Sequence, residues 1–177
     1  MKHYLLILFA SLSWIFLYSS LIQSANSTEQ TDPPSKYKGR TIAPVMSASG
    51  ANWLKRESRA SIELPEQLLD ALDITPGMTI ADVGAGIGYF SWRLSKRVGP
   101  TGLVYATDIQ KRMIALLNYE LKKRKIDNVR TILGTASDPN LPRDSIDIAL
   151  LVDVYHEFKY PETVSYTHLT LPTILRV

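Results

Sequence analysis

One loop constrains the fold of this chain more than any other part of its sequence. Residues 80–90 read IADVGAGIGYF and place glycine at every second position, at Gly84, Gly86 and Gly88. Glycine adopts positive φ angles without strain and lets a ligand come close to the main chain. The apolar run before the loop predicts a strand, and the segment after it predicts a helix. A strand that leads through such a loop into a helix is typical of folds that bind nucleotides.

Strands and helices are predicted to alternate along the chain around this loop. The predicted strands are residues 78–83, 103–107, 129–133 and 146–152, and the predicted helices between them are residues 89–98 and 110–125. A further helical pattern begins at Trp53. Alternation of this kind indicates parallel strands joined by right-handed crossovers. The sequence therefore predicts an α/β fold with a doubly wound, Rossmann-like, mostly parallel sheet, which binds ligands at the carboxyl ends of its strands.

Two aspartates stand at that predicted ligand edge. Asp108 ends the second strand, and a carboxylate there can accept hydrogen bonds from both hydroxyls of a ribose; a turn-capping aspartate is the other interpretation. Asp82 precedes Gly84 by two residues and would repel a pyrophosphate. The glycine spacing also differs from the G-x-G-x-x-G of dinucleotide folds. A cationic ligand with an amino group, such as S-adenosylmethionine, fits these residues better than NAD does.

The same residues carry a resemblance to a known family. The segment DVGAGIG, residues 82–88, resembles motif I of the class I S-adenosylmethionine-dependent methyltransferases, and VYATD, residues 104–108, is similar to the next motif. The runs NVRTILG at residues 128–134 and DVYH at residues 153–156 are similar as well. The resemblance covers about residues 53–163.

A narrower resemblance points to one branch of this superfamily. Trp53-Leu-x-Arg56 together with VYHEF, residues 154–158, resembles a branch found as small exported or periplasmic proteins of bacteria. Domains of the family normally have seven strands, whereas only four are predicted here. The resemblance therefore implies a methyltransferase domain that is truncated, with its sheet incomplete in the C-terminal half.

The resemblance implies a role for each residue of a cofactor site. The implied cofactor-binding residues are Asp82, Gly84, Ala85, Gly86, Gly88, Asp108, Ile109, Asp138 and Asp153. The glycines would line the methionine and ribose part of S-adenosylmethionine, and Asp82 would face its ammonium group. Asp108 would bind the ribose hydroxyls, and Ile109 would pack on the adenine. Thr135 stands where an aspartate commonly meets the adenine amino group, and Asp138 follows three residues later.

The residues after the fourth strand are the candidates for the transfer step. Methyl transfer depends mainly on positioning, although a base can also remove a proton from the acceptor. His156 is predicted to be that base, since histidine ordinarily titrates near neutral pH, or alternatively to cap the strand end. Tyr155 is predicted to form a wall of the acceptor pocket or to pack in the core. Asp153 and Glu157 are further candidates, and no motif identifies the acceptor as a small molecule or a protein.

Composition excludes several other classes of protein. The chain of 177 residues contains no cysteine, which excludes disulfides, a thiolate metal site and a cysteine nucleophile. A net charge of +3 is too small to indicate a nucleic-acid partner. No two of the three histidines have the spacing of metal ligands, so no metal site is predicted.

The N-terminus predicts export from the cytoplasm. Lys2 precedes an apolar run over residues 4–22, and small residues follow it, which predicts a signal peptide or a membrane anchor over residues 1–27. The basic residue before the run and the acidic residues after it place the domain in the periplasm or on the outer face of the inner membrane. Membrane contact is predicted only through this segment. Residues 28–52, rich in Ser, Thr, Pro and Gly, predict a linker.

The C-terminus does not continue the predicted pattern. Residues 164–177 resemble a translated sequencing adapter, lack a helical stripe and include Pro172. We therefore predict that residues 53–163 are the N-terminal part of a methyltransferase domain and that the segment after them is a non-native tail. The far edge of the fourth strand is then expected to be bare, and the chain to fold poorly.

Three functions remain open from the sequence. The first is methyl transfer from S-adenosylmethionine to an unidentified acceptor. The second is a non-catalytic module that binds S-adenosylmethionine or another nucleoside, or an inactive fragment. The third, an NAD-dependent oxidoreductase, is disfavoured by the glycine spacing and by Asp82.

Overall fold

The computed structural model describes residues 4–8 and 36–166 and confirms the predicted α/β fold. The strands are β1 (Tyr4–Leu8), β2 (Lys36–Tyr37), β3 (Arg40–Thr41), β4 (Thr79–Val83), β5 (Leu103–Asp108), β6 (Val129–Leu133) and β7 (Ile148–Val152). Five of them form one parallel sheet in the order β1-β7-β4-β5-β6. β2 and β3 form a separate antiparallel hairpin. The order reverses beside β4, which places a ligand crevice at the carboxyl ends of β4, β5 and β7.

Helices cover both faces of the sheet. They are α1 (Ser58–Glu63), α2 (Pro65–Asp70), α3 (Ser91–Val98), α4 (Lys111–Lys123) and α5 (Pro161–Tyr166), with 3₁₀ helices at Ala48–Lys55 and Tyr155–Glu157. In α4, the apolar residues Met113, Leu117 and Leu121 recur at helical spacing and are buried, which is why this helix could be predicted from the sequence. The helix ends within two residues of its predicted bounds, and α3 begins two residues after its predicted start.

The core lies on both sides of the central strands. One cluster of buried side chains joins α2 and α3 to one face of the sheet, and it includes Leu69, Leu94, Ile80, Val104, Ile148 and Leu150. A second cluster on the other face includes Ala81, Val83, Ala149, Leu151 and Val164. Successive residues of β4 and β7 therefore point alternately into two separate cores. This explains why these strands read as continuous apolar runs.

The far edge of β7 is not bare, contrary to the expectation from the sequence. β1 pairs with it in parallel, with Tyr4 opposite Ile148 and Leu8 opposite Val152. The sequence-based expectation missed this pairing because it assigned residues 4–8 to a signal peptide or anchor. That prediction otherwise falls on residues outside the described part of the chain. Among the described residues, no helix is long and apolar enough to cross a membrane.

The segments that flank the predicted domain pack against it where they are described. Residues 36–52 belong to the predicted linker, yet Ile42, Ala48 and Ala51 are buried. Val164, the first residue of the predicted non-native tail, lies in α5 and is 6% exposed in the core beside β7. Residues 167–177 lie outside the described residues. α5 extends three residues into the predicted non-native tail, to Tyr166.

Candidate functional site

A cleft of about 1160 Å³ opens at the carboxyl ends of β4, β5 and β7. One wall is the glycine loop between β4 and α3, together with Asp108 at the end of β5. The opposite wall is formed by residues 42–63, which we call the N-terminal wall. The 3₁₀ turn after β7 closes one end. The volume is at the upper limit of small-molecule pockets, which is enough for more than one ligand group.

The glycine loop is fixed by its backbone and by close packing. Gly84 and Ala85 both donate their N–H groups to the carbonyl of Thr107 on β5, at 2.9 Å each. Gly84 has φ +74°, and a Cβ atom there would lie 2.3 Å from a methyl group of Val154. Glycine is therefore required by the protein itself at this position, in addition to any ligand. Gly84, Ala85 and Gly86 line the cleft as predicted.

Gly88 is required for packing within the protein. Its φ is +82°, and a Cβ atom there would lie 2.2 Å from the side chain of Leu117 on α4. It is not among the described residues that line the cleft. Gly88 thus allows α4 to approach the loop, and its contact with the cofactor stays a prediction.

Asp108 has the turn-capping role that the sequence left open, and its ribose contact stays a prediction. Its Oδ1 accepts the N–H of Gln110 at 2.8 Å and its Oδ2 accepts the N–H of Gly86 at 3.1 Å, so it caps the turn and holds the glycine loop. It also lines the cleft beside Ile109, which is 44% exposed. Burial raises the pKa of Asp108, and the backbone N–H groups that it accepts lower it. The carboxylate is thereby held in a fixed orientation at the end of β5.

Two further acids lie on the opposite side of the loop. Asp82 is 4% exposed and accepts the hydroxyl of Ser91 at 2.6 Å. Burial raises its pKa to about 6, and this hydrogen bond opposes the shift. Asp153 follows β7 with φ +54° and keeps an exposed surface in the cleft. Partial burial, followed by the nearby Glu63 carboxylate, raises the pKa of Asp153.

The end of the cleft beyond β6 is formed without Asp138. Thr135 and Ala136 line the cleft there. The Asp138 carboxylate instead accepts the N–H of Asn140 at 2.6 Å, and its carbonyl accepts the N–H of Thr135 at 2.7 Å. Asp138 therefore shapes the turn and is not among the described lining residues. The predicted contact of Asp138 with adenine stays a prediction.

The turn after β7 separates the two predicted catalytic residues. His156 lines the cleft, whereas Tyr155 is not among the described lining residues. The Tyr155 ring packs on Phe158, with 5.9 Å between ring centroids, and lies 5.5 Å from the guanidinium of Arg40. Its position matches the packing interpretation. Glu157 also lines the cleft, and burial raises its pKa to about 7.

The N-terminal wall is clamped to both ends of the cleft. The carbonyl of His156 accepts the N–H of Ala43 at 3.0 Å, and Glu157 accepts the N–H of Met46 at 3.3 Å. At the other end, Gln110 donates to the carbonyl of Met46 at 2.8 Å and accepts the N–H of Ala48 at 3.1 Å. Sequence reasoning missed this wall, because its contacts join residues far apart in the chain.

A cluster of charged side chains completes the N-terminal wall. Glu63 accepts hydrogen bonds from Arg56 at 2.6 Å and from Arg59 at 2.5 Å. Arg59 also lies 4.0 Å from the ring of Tyr89, which follows the glycine loop. All four residues line the cleft. The spacing of Arg59 and Glu63, four residues apart on α1, was the available sequence signal.

Comparisons with known proteins identify the class of this site. The protein family described as "Methyltransferase domain" matches residues 80–169, just over half of the chain. The solved structure of an S-adenosylmethionine-dependent methyltransferase from Aquifex aeolicus has a TM-score of 0.64 and 30% identity, covering 67% of this chain and 63% of that one. Nocamycin O-methyltransferase of Saccharothrix syringae is 32% identical over 107 residues, 60% of this chain and 36% of its own length. Protein-L-isoaspartate O-methyltransferase of Methanothrix thermoacetophila is 31% identical over 85 residues, which are 46% of this chain and 40% of its own length.

The fold and the cleft thus define a nucleoside-binding α/β protein, and the family match makes the assignment specific. The chain belongs to the methyltransferase-domain family, and its cofactor is S-adenosylmethionine. It spans less than half of the length of the two curated relatives.

The described residues fit this cofactor. The main chain of Gly84 to Gly86 lines the cleft without large side chains, and Asp108 stands at the strand end where a ribose is bound. Four acids of the cleft have raised pKa values, namely Asp82, Asp108, Asp153 and Glu157. A cationic ligand would stabilise the ionised forms of these acids, whereas the negative charge of a pyrophosphate would destabilise them.

Proposed function

We propose that this chain transfers the methyl group of S-adenosylmethionine to a small apolar acceptor. The observation that carries the proposal is the exposed apolar surface that the N-terminal wall presents to the cleft. Four of its lining side chains keep large exposed fractions: Val45 (42%), Met46 (36%), Trp53 (55%) and Ile62 (69%). Exposed apolar surface that borders a cleft is typical of a binding site.

Glu157 is the residue that we assign as general base. It lies in the cleft next to His156, and its pKa of about 7 suits proton transfer near neutral pH. When bound, the cofactor supplies a methyl carbon on a positively charged sulfur, which a nucleophile can displace. Glu157 would take the proton from the hydroxyl of the acceptor, with His156 as the second group able to do so. The apolar N-terminal wall would hold the acceptor and exclude water.

The relatives support methyl transfer without fixing its acceptor. One relative is named for nocamycin and another for L-isoaspartate in protein, so their names differ in the kind of acceptor. The choice of an apolar small molecule therefore depends on the walls of this cleft. An acceptor that is a large polar surface would leave the exposed side chains of Trp53 and Ile62 without a partner.

Release of S-adenosylhomocysteine from the full chain tests the proposal. The probes are 4-hydroxybenzoate and its methyl, butyl and hexyl esters, which differ in apolar length and charge. We expect the rate to rise with the alkyl chain, and Glu157→Gln to lower turnover about 100-fold while cofactor affinity is kept. Cofactor binding with no transfer to any probe would contradict the proposal and favour a non-catalytic binding module.

We further propose that the chain acts outside the cytoplasm. The apolar run over residues 4–22 and the charges on either side of it support this proposal. Fractionation of bacteria that produce the full chain, with N-terminal sequencing of the product, tests it. We expect the protein in the periplasmic or membrane fraction. Recovery in the cytoplasm with Met1 or Lys2 at the N-terminus would contradict export, and would leave β1 available to pair with β7.

A further inference from the structure

Two arginines of the N-terminal wall share a single carboxylate. Arg56 Nη2 lies 2.6 Å from Glu63 Oε1, and Arg59 Nε lies 2.5 Å from Glu63 Oε2. The remaining hydrogen bonds of these guanidiniums go to carbonyls, from Arg56 to Trp53 and from Arg59 to Leu54. The three charged side chains therefore carry a net charge of +1.

This positive charge is held away from water. The side chain of Arg59 is only 6% exposed and that of Arg56 is 21% exposed. A buried charge is unfavourable unless a counter-charge or hydrogen bonds stabilise it. Glu63 neutralises one of the two guanidiniums, and both arginines also act on the nearby carboxyl group of Asp153, whose pKa they lower. Because both arginines line the cleft, a ligand carboxylate bound there would be a further hydrogen-bond acceptor beside them.

The hydroxyl of Tyr89 is a second, independent sign of a missing ligand atom. Among the described residues it has no hydrogen-bond partner, although it is buried. The Tyr89 ring lies between the guanidiniums of Arg59 and Arg93, at 4.0 and 4.1 Å, and it lines the same cleft. Buried polar groups in native proteins nearly always find a partner. A hydroxyl donor beside a guanidinium matches the needs of a carboxylate.

The sheet places this cluster on the side of the glycine loop opposite the ribose acid. Asp108 ends β5, whereas Asp153 follows β7, and β4 lies between these two strands. The charges of Arg59, Arg56 and Glu63 all act on Asp153. The cluster therefore belongs to the β7 side of the loop. A ligand whose ribose is at Asp108 would extend its other end past the loop towards these residues.

We infer that Arg56, Arg59 and Tyr89 bind the α-carboxylate at the methionine end of the cofactor. Glu63 holds the two arginines in place and acts as a positioning residue. The inference rests on the proposed use of the cleft for S-adenosylmethionine. Through this contact the cluster would distinguish the complete cofactor from a nucleoside that lacks an amino-acid end.

Binding of two nucleosides to the full chain, measured by titration calorimetry, tests this inference. S-adenosylhomocysteine carries the amino-acid end, and 5′-methylthioadenosine lacks it. We expect the wild-type chain to bind the former at least about tenfold more tightly, as one or more charge-assisted hydrogen bonds would give. Arg56→Met should remove most of this preference while affinity for 5′-methylthioadenosine stays within about twofold.

A conservative variant and two matched controls keep the test independent of folding. Tyr89→Phe removes only the unpaired hydroxyl and should lower affinity for S-adenosylhomocysteine several-fold, leaving 5′-methylthioadenosine unaffected. Arg130→Met and Tyr119→Phe make the same chemical changes at exposed positions outside the cleft. Both controls should bind the two nucleosides like the wild-type chain.

Two results would overturn the inference, and they are distinguishable from failure of the proposed function. Equal affinity of the wild-type chain for both nucleosides would show that the amino-acid end does not contribute to binding. Equal weakening of both nucleosides by Arg56→Met and Tyr89→Phe would reduce the cluster to a structural element. If the wild-type chain bound neither nucleoside, the proposed cofactor site itself would be wrong, and this inference with it.

Discussion

The two walls of the cleft differ in how they are built. The glycine loop is made of residues adjacent in the sequence, and its backbone is bonded directly to the neighbouring strand β5. The N-terminal wall is held by side chains and backbone from distant parts of the chain, such as Gln110 with Ala48, 62 residues apart. The first wall is a local motif supported by the sheet. The second exists only when the chain has folded.

This difference also separates the rigid part of the site from the part that can open. Glycine-loop residues such as Ala85 and Phe90 are buried, so moving the loop would expose core side chains. Residues 43–47 of the N-terminal wall are partly or fully exposed, and a few hydrogen bonds hold them to Gln110, His156 and Glu157. Regions with few buried contacts open at lower free energy. The acceptor side of the cleft is therefore expected to be the more mobile side.

The largest effect is expected from damage to the rigid wall. Gly84→Ala places a methyl group where Val154 already lies, at a φ of +74° that alanine adopts only with strain. We expect a loss of about 2–4 kcal/mol in the free energy of unfolding, measured by urea denaturation. Gly39→Ala is the matched control, because Gly39 has φ +82° and no atom within 4 Å of an added Cβ. Equal losses in both variants would show that the close packing at Gly84 has no energetic role.

An intermediate effect is expected at Glu157, where the two walls meet. Its pKa of about 7 lies above the usual value of a glutamic acid because of burial. Between about pH 4.5 and 7 the folded chain keeps this proton whereas the unfolded chain releases it, so stability falls as the pH rises. Glu157→Gln should remove this loss. The free energy of unfolding of the variant minus that of the wild-type chain should be about 1–3 kcal/mol larger at pH 8 than at pH 4.

Denaturation curves of the wild-type chain and Glu157→Gln at several pH values measure this effect. The difference between the two chains removes the contributions of Asp82 and Asp153, whose raised pKa values act in the same direction in both. It retains the electrostatic interaction between Glu157 and Asp108, which also raises the pKa of Glu157. Parallel stability curves across this pH range would contradict the shifted pKa of Glu157.

The smallest effect is expected at the clamp of the N-terminal wall. Gln110→Ala removes the hydrogen bonds to Met46 and Ala48 and should cost about 1 kcal/mol. Hydrogen exchange should accelerate at residues 43–48 and remain slow in the glycine loop. The exposed Gln67 on α2 provides the control variant Gln67→Ala. Faster exchange in both walls would show that they open together and would contradict a separate opening of the N-terminal wall.

The sequence predicted the part of the molecule that depends on local patterns. The order of β4 to β7 and of α3 and α4 followed from apolar runs and from turns. Asp108 and the lining glycines followed from their positions at strand ends. These signals were readable because each element carries its own periodicity and each motif residue lies next to the strand that positions it.

The rest of the site depends on contacts between distant segments, which periodicity does not encode. Arg56, Arg59 and Tyr89 meet only after α1 has packed against the glycine loop. Residues 36–52 have the composition of a linker, yet they gain partners on β7 and α4 in the folded chain. The motif did not reveal that Gly88 also lies against Leu117 of α4. The pairing of β1 with β7 was missed because residues 4–8 were assigned to a signal peptide or anchor.

We propose that this cleft binds S-adenosylmethionine through its glycine loop and Asp108. Titration of the full chain with S-adenosylhomocysteine, alone and in the presence of NAD, is the direct test. We expect saturable binding to one site, no competition from NAD, and a large loss of affinity in Asp108→Asn, which cannot place a charged carboxylate against the ribose. Absence of binding, or displacement of S-adenosylhomocysteine by NAD, would show that the cleft does not bind this cofactor in the proposed way.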